Sequence, residues 1–83
     1  MTTILWEPRA RLALRKLPKH VAKRILAKLE RVQENVARHL EGVVGVDFSK
    51  IRVGDYRLFV DSDRKEDILV IRALRHRRHA YKP

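Results

Sequence analysis

The sequence predicts an α+β fold: an N-terminal strand, a helical hairpin, then a three-stranded antiparallel meander, with the helices packed on one face of the sheet. Three observations predict it. Apolar residues recur at helical spacing between Ala10 and Leu40, the texture turns to short β-rich runs after Val43, and Gly54-Asp55 sits where a hairpin must turn. With 83 residues and neither an internal repeat nor a linker, a single domain over 1–83 is expected.

Residues 2–6 are β-branched and apolar enough for a strand. Glu7-Pro8 suits a helix entrance. Proline's missing N–H is no loss in the first turn, and the acid stands at the positive end of the helix dipole. Ala10, Ala13, Leu14 and Leu17 follow at helical spacing, and Pro18 stops that helix. A longer helix is expected over about 19–40. Val21, Ile25, Leu29, Val32, Val36 and Leu40 form its apolar stripe, with Lys23, Arg24, Lys28, Arg31 and Arg38 lying off it. The stripe reads as core, because the sheet that follows needs covering.

Residues 48–53, 55–61 and 68–74 are short runs rich in Val, Ile, Leu, Phe and Tyr. Glycine first in a two-residue loop is what a type II′ turn requires, and that turn fixes the register. Val53 then opposes Tyr56, Arg52 opposes Arg57, Ile51 opposes Leu58, Lys50 opposes Phe59 and Ser49 opposes Val60. Opposed residues share a face. Ile51, Val53, Tyr56, Leu58 and Val60 therefore make the core face, and Lys50, Arg52, Arg57 and Phe59 the other. Like charges directly opposed cost stability unless something negative lies between them. A solvated outer face is the plainer alternative for such a set. The loop 62–67 reads as a connector without chemistry.

Charge points to the class of partner. Twenty Lys and Arg face ten Asp and Glu, a formal net charge of +10. Such an excess on a small body favours polyanions through counterion release. No acid follows Asp67, while Arg72, Arg75, Arg77, Arg78 and Lys82 crowd the C-terminal stretch. Cysteine is absent, which excludes a disulfide framework, a thiolate metal site and a cysteine nucleophile. No run approaches the roughly 20 apolar residues that span a bilayer. The apolar start Ile4-Leu5-Trp6 meets Glu7, Pro8 and Arg9 at once, unlike a signal peptide. A cytoplasmic protein without a membrane partner is expected.

The third run ends in Arg75-His76-Arg77-Arg78-His79-Ala80-Tyr81. Antiparallel pairing with the second run would bring this tail beside Arg57. Guanidinium groups with a tyrosine and an imidazole suit phosphate binding and proton transfer. A frayed basic terminus is the alternative.

The order strand, two helices, three strands, with Arg52-Val53-Gly54-Asp55-Tyr56-Arg57 in the hairpin and His76-Arg77-Arg78 before Tyr81, resembles the RelE/ParE toxin superfamily and within it the RelE branch. The resemblance implies a RelE-like fold and the toxin of a type II toxin–antitoxin pair. It implies a ribosome-dependent mRNA endoribonuclease, cutting in the A site by 2′-OH attack, with no metal and no cofactor. Its implied partners are the ribosome, mRNA and a small acidic RelB-like antitoxin held in a heteromeric complex. By position, Lys50 and Arg52 match the family's paired cations, Arg57 the arginine after the hairpin, Arg77 the arginine before the tail, and Tyr81 the tail tyrosine. Arg57 and Arg77 would stabilise the phosphorane. Tyr81 is the first candidate base if cations lower its pKa, and His76 the second, since imidazole titrates nearer neutrality. Arg75, Arg78, Lys82 and Phe59 would bind RNA. The sequence departs from the family in three places: the loop 41–47 lacks lysine, Arg75 replaces a common glycine, and two residues follow Tyr81, too few for a C-terminal helix. A ParE-like inhibitor of DNA gyrase and an inactive nucleic-acid-binding relative are the alternatives.

Overall fold

The computed structural model describes residues 1–43, 45 and 47–77. The chain opens with β1 (Thr3–Trp6) and turns directly into α1 (Pro8–Arg15), with Pro8 in the first turn and Glu7 extended before it. Pro18 separates α1 from α2 (Lys19–Glu34). The long helix expected over 19–40 is in fact broken. Asn35, with φ −156° and ψ 83°, leaves the helical region, and a single turn, α3 (Val36–His39), follows. Asparagine competes with the helix for backbone groups, so a break there is physically cheap. The apolar stripe crosses the break, since Val36 and Leu40 still pack on the core.

Among the described residues five strands, not four, form the sheet. β2 (Glu41–Gly42) is a short addition that pairs with Lys50 and Ser49. β3 (Ser49–Val53), β4 (Tyr56–Asp63) and β5 (Ile68–His76) make the expected meander, and the order across the sheet is β1-β5-β4-β3-β2. β4 and β5 each run two residues beyond their expected ends. β1 lies parallel to β5, Thr3 beside Ile68 and Trp6 beside Ile71. Parallel neighbours need a crossover, which the helices supply.

The β3–β4 register is the expected one at all five pairs, from Ser49 opposite Val60 to Val53 opposite Tyr56. Among the described non-glycine residues only Asp67 has a positive φ, so in this turn it falls on Gly54 alone, at 56°. That distinguishes the II′ turn from I′, which needs it at both central residues.

The core lies between the helices and one face of the sheet. Ala10 of α1 and Ile25, Leu29 and Val32 of α2 meet Ile51, Val53, Leu58, Val60, Leu69, Ile71 and Leu74. Each wholly buried Leu, Ile or Val contributes about 1.5–3 kcal/mol. The buried positions of β5 change phase, from Leu69 and Ile71 to Leu74. A register shift opposite Phe59 and Val60 absorbs the change and leaves Arg72 as the extra residue.

The connector 62–67 is structural rather than featureless. Asp63 Oδ1 accepts the N–H groups of Lys65 (3.0 Å) and Glu66 (3.1 Å). Asp67 accepts the Thr2 hydroxyl at 2.6 Å on its side chain and the Thr3 N–H at 2.9 Å on its carbonyl. These bonds latch β1 to the start of β5.

Candidate nucleic-acid interface

The sheet face turned away from the helices carries the candidate site. Register places Arg52 of β3, Arg57 of β4 and Arg75 of β5 in one row across three strands. The next row is Lys50, Phe59 and Ala73. Neighbouring strands lie about 4.8 Å apart, so three guanidinium groups are anchored within roughly 10 Å. Arg52 and Arg75 are exposed, while Lys50 and Phe59 are half-buried. Beside them a 490 Å³ cleft is lined by Val43, Phe48, Phe59 and Ala73, with Arg9, Arg72, Arg75 and one acid, Glu7. Phe48 and Phe59 meet edge to face, with centroids 5.7 Å apart and planes at 86°. Apolar rings among cations can hold unstacked bases while the cations take phosphates.

Arg57 occupies the middle of the row but is only 3% exposed. Its Nη1 donates to the carbonyls of Gly54 (3.1 Å) and Tyr56 (2.9 Å), and its Nε has no hydrogen-bond partner among the described residues. No carboxylate pairs with it there. It therefore lends charge from beneath the surface, with Arg52 and Arg75 standing beside it in the open.

Arg72 is differently placed. Its guanidinium pairs with Asp61 at 2.6 Å and Glu7 at 3.3 Å. The hydrogen bond it donates to Asp61, then the charges of Asp61 and Glu7, hold its pKa above the ordinary value. Of the basic residues in the late sequence, this one is already neutralised.

Of the tail, Arg77 lies at the expected end of the sheet. The Arg77 N–H donates to the Asp55 carbonyl, which fixes exposed Arg77 at the hairpin end of the sheet. His76 does not join the cationic face. It opposes Tyr56, a core-face residue, and their rings meet edge to face at 5.1 Å. With His20 and Arg24 it lines a 300 Å³ cleft on the helical side. The bulge at Arg72 turns it there, since alternation carried unbroken from Leu69 and Ile71 would have left His76 on the face of Arg57. Tyr81, Arg78 and Lys82 lie outside the described residues. Phe48 and Arg9 were not anticipated. Phe48 could have been found, since it precedes Lys50 and Arg52 at alternate positions.

The model of the ParE toxin family of type II toxin–antitoxin systems (parDE) matches residues 4–81. The chain belongs to that family. It is thus a type II toxin of the RelE/ParE superfamily. Solved structures similar to this toxin include the RelBE2 complex of Mycobacterium tuberculosis, at 23% identity and TM-score 0.84, covering 92% of this chain and 98% of that one. The RelE–RelB complex of Pyrococcus horikoshii matches at 24% identity and TM-score 0.78, covering 95% and 98%. The RelB–RelE complex of Methanococcus jannaschii matches at 25% identity and TM-score 0.72, covering 95% and 99%. No protein of curated function shows significant sequence similarity to the toxin. Among the described residues no helix is long and apolar enough to cross a membrane.

Proposed function

We propose that the toxin is a ribosome-dependent mRNA endoribonuclease that lays its substrate across the outer face of the sheet. The observation that carries this is the row Arg52–Arg57–Arg75 beside Lys50 and the Phe48–Phe59 pair. A sheet packed for stability alone does not set three arginines side by side without an acid between them. A phosphodiester between them turns that repulsion into attraction, and more strongly as the phosphorane gains charge.

The step forms a bond from the ribose 2′ oxygen to phosphorus and breaks the bond from phosphorus to the 5′ oxygen. The 2′ proton passes to a base, and a proton reaches the leaving 5′ oxygen. One product ends in a 2′,3′-cyclic phosphate and the other in a 5′-hydroxyl. The substrate supplies the nucleophile, so the step as written asks no metal of the protein. Arg52 and Arg75 take the phosphate oxygens directly, Arg57 raises the local potential, and Arg77 joins from the tail. With His76 turned to the helical side, Tyr81 remains the candidate base. A small acidic RelB-like antitoxin is the neutralising partner; the net charge of +10 supports it, as do the toxin–antitoxin complexes of similar fold.

The test is induced expression with mapping of transcript 5′ ends, with and without translation. Cuts inside coding regions that vanish when translation stops are the expected result. The family match also favours a second reading, inhibition of DNA gyrase by a toxin that does no chemistry. Relaxed plasmid with intact transcripts would select it.

A further inference from the structure

A groove of 270 Å³ lies around the edge of the hairpin from that face, between α2 and β3. Arg24, Lys28 and Arg31 of α2 and Arg52 of β3 supply its charges, over a floor of Ala27 and Val53. Among the described residues no acidic one lines it. Lys28 has Arg24 four residues before it and Arg31 three after, so both its neighbours along the helix face repel it. Like charges at these spacings destabilise a helix. Glu34 stands three residues beyond Arg31, within pairing reach, yet no residue of α2 takes part in an ion pair among the described residues. Three cations are therefore held together with no ion-pair partner among the described residues.

The strand side is equally open. Among the described residues β2 pairs only with Ser49 and Lys50, so residues 51–53 form an edge without a strand partner there, next to the groove. The turn makes room for a cation as well. A Cβ on Gly54 would lie 3.1 Å from Arg24 Nη2, so the absence of a side chain lets that guanidinium rest over the hairpin. The positive potential extends along the helix. His39 is held below its ordinary pKa by burial first, and then by the charges of Lys28, Arg38 and Arg31.

We propose that this groove is a second phosphate-backbone site, which takes the single-stranded RNA segment leaving the outer face. Arg52 belongs to both surfaces and marks where the strand turns the edge. The inference rests on the proposed RNA-binding function and adds a ligand path that the cleavage site does not require. Between Arg24 and Arg31 the helix advances about 10 Å, enough for more than one phosphate of a single strand.

The test uses the toxin carrying Arg24→Gln, Lys28→Gln and Arg31→Gln, and separately Lys28→Gln alone. Glutamine keeps helix propensity close to that of the residues it replaces. Binding of a short and a long oligouridylate is measured against salt, and poly-glutamate is tested in parallel. For the long oligouridylate, the slope of log K against log salt should shrink in the triple variant by about 0.7 for each phosphate no longer neutralised. The short one, which the outer face accommodates alone, should keep its slope. Lys28→Gln should give part of the effect at an unchanged melting temperature. An unaltered long-oligomer slope in the triple variant, with binding lost in Arg52→Gln/Arg75→Gln, overturns the groove and leaves the outer face standing. Loss of poly-glutamate binding with the RNA slope intact also overturns it, and assigns the groove to an acidic protein. Absence of salt-dependent RNA binding by the unaltered toxin defeats both proposals.

Discussion

Replacing Arg57 with methionine should make the toxin more stable. Two terms oppose each other at this position. The guanidinium donates two hydrogen bonds to hairpin carbonyls, at 3.1 and 2.9 Å. A bond from a charged donor contributes about 1.5–3 kcal/mol net, but water can replace it where the carbonyl is reachable. Gly54, at the exposed turn, is so placed. Against this stands a charge only 3% exposed, with, among the described residues, no partner for Nε and no carboxylate, and with Arg52 and Arg75 on either side. Burying a charge costs several kcal/mol, and replacing buried ionic groups with apolar ones of similar volume often gains about 1–4 kcal/mol. Methionine roughly matches the stem in length, so no large cavity opens. Desolvation and repulsion should win by about 1–2 kcal/mol. For a domain of this size each kcal/mol moves the melting temperature by about 4–8 °C. Thermal and urea unfolding of the two proteins in buffer free of phosphate and sulfate would measure it. Toxicity should be lost in the same variant, a stability gain at the expense of function. A fall in melting temperature would refute the reasoning and make Arg57 a staple of the turn.

Three further outcomes follow from the same structure. Gly54→Ala forces a side chain into a left-handed conformation, φ 56°, and against Arg24; it should cost about 1–2 kcal/mol, seen as a lower urea midpoint at constant slope. An unchanged midpoint would contradict the II′ turn. Thr2→Val removes the hydroxyl bonded to Asp67 and should cost about 1–2 kcal/mol while speeding amide exchange in β1; equal exchange rates would show that the latch holds nothing. The folded protein holds the His39 proton less firmly than the unfolded chain does, because that imidazole lies below its ordinary 6.5. Stability should therefore fall as pH drops through that value, and the fall should be smaller in His39→Gln. The same pH dependence in both proteins would remove His39 from the account.

Much of this was legible in the sequence because a few residues fix geometry without help from the rest. Pro8 and Pro18 bound the first helix, and Gly54-Asp55 alone set every cross-strand pair of the hairpin, and with it the cationic face. Other features depend on contacts distant in sequence. The parallel pairing of β1 with β5 follows from the helices' crossover and from Asp67, which no local pattern announces. The break at Asn35 lies inside an unbroken apolar stripe, so periodicity overruled the residue. Arg72 looked like one more free cation, and only its position beside Asp61 and Glu7 neutralises it. His76 turns to the core face, opposite Tyr56, because the bulge at Arg72 shifts the alternation of β5. The phase change from Ile71 to Leu74 carried the correction. Arg57 was placed on the right face, but its burial against backbone carbonyls is a side-chain fact that register does not contain.

One purified preparation, divided between two assays, decides the central question. Half is added to ribosomes holding a defined mRNA, and the ends of any fragments are identified; half is added to DNA gyrase in a supercoiling reaction. If the outer sheet face cleaves RNA, the mRNA is cut only on the ribosome, the upstream fragment ends in a 2′,3′-cyclic phosphate, Arg52→Gln/Arg75→Gln abolishes the cut, and supercoiling proceeds unhindered. Intact mRNA with gyrase inhibited would contradict that assignment, and so would fragments ending in a 3′-hydroxyl.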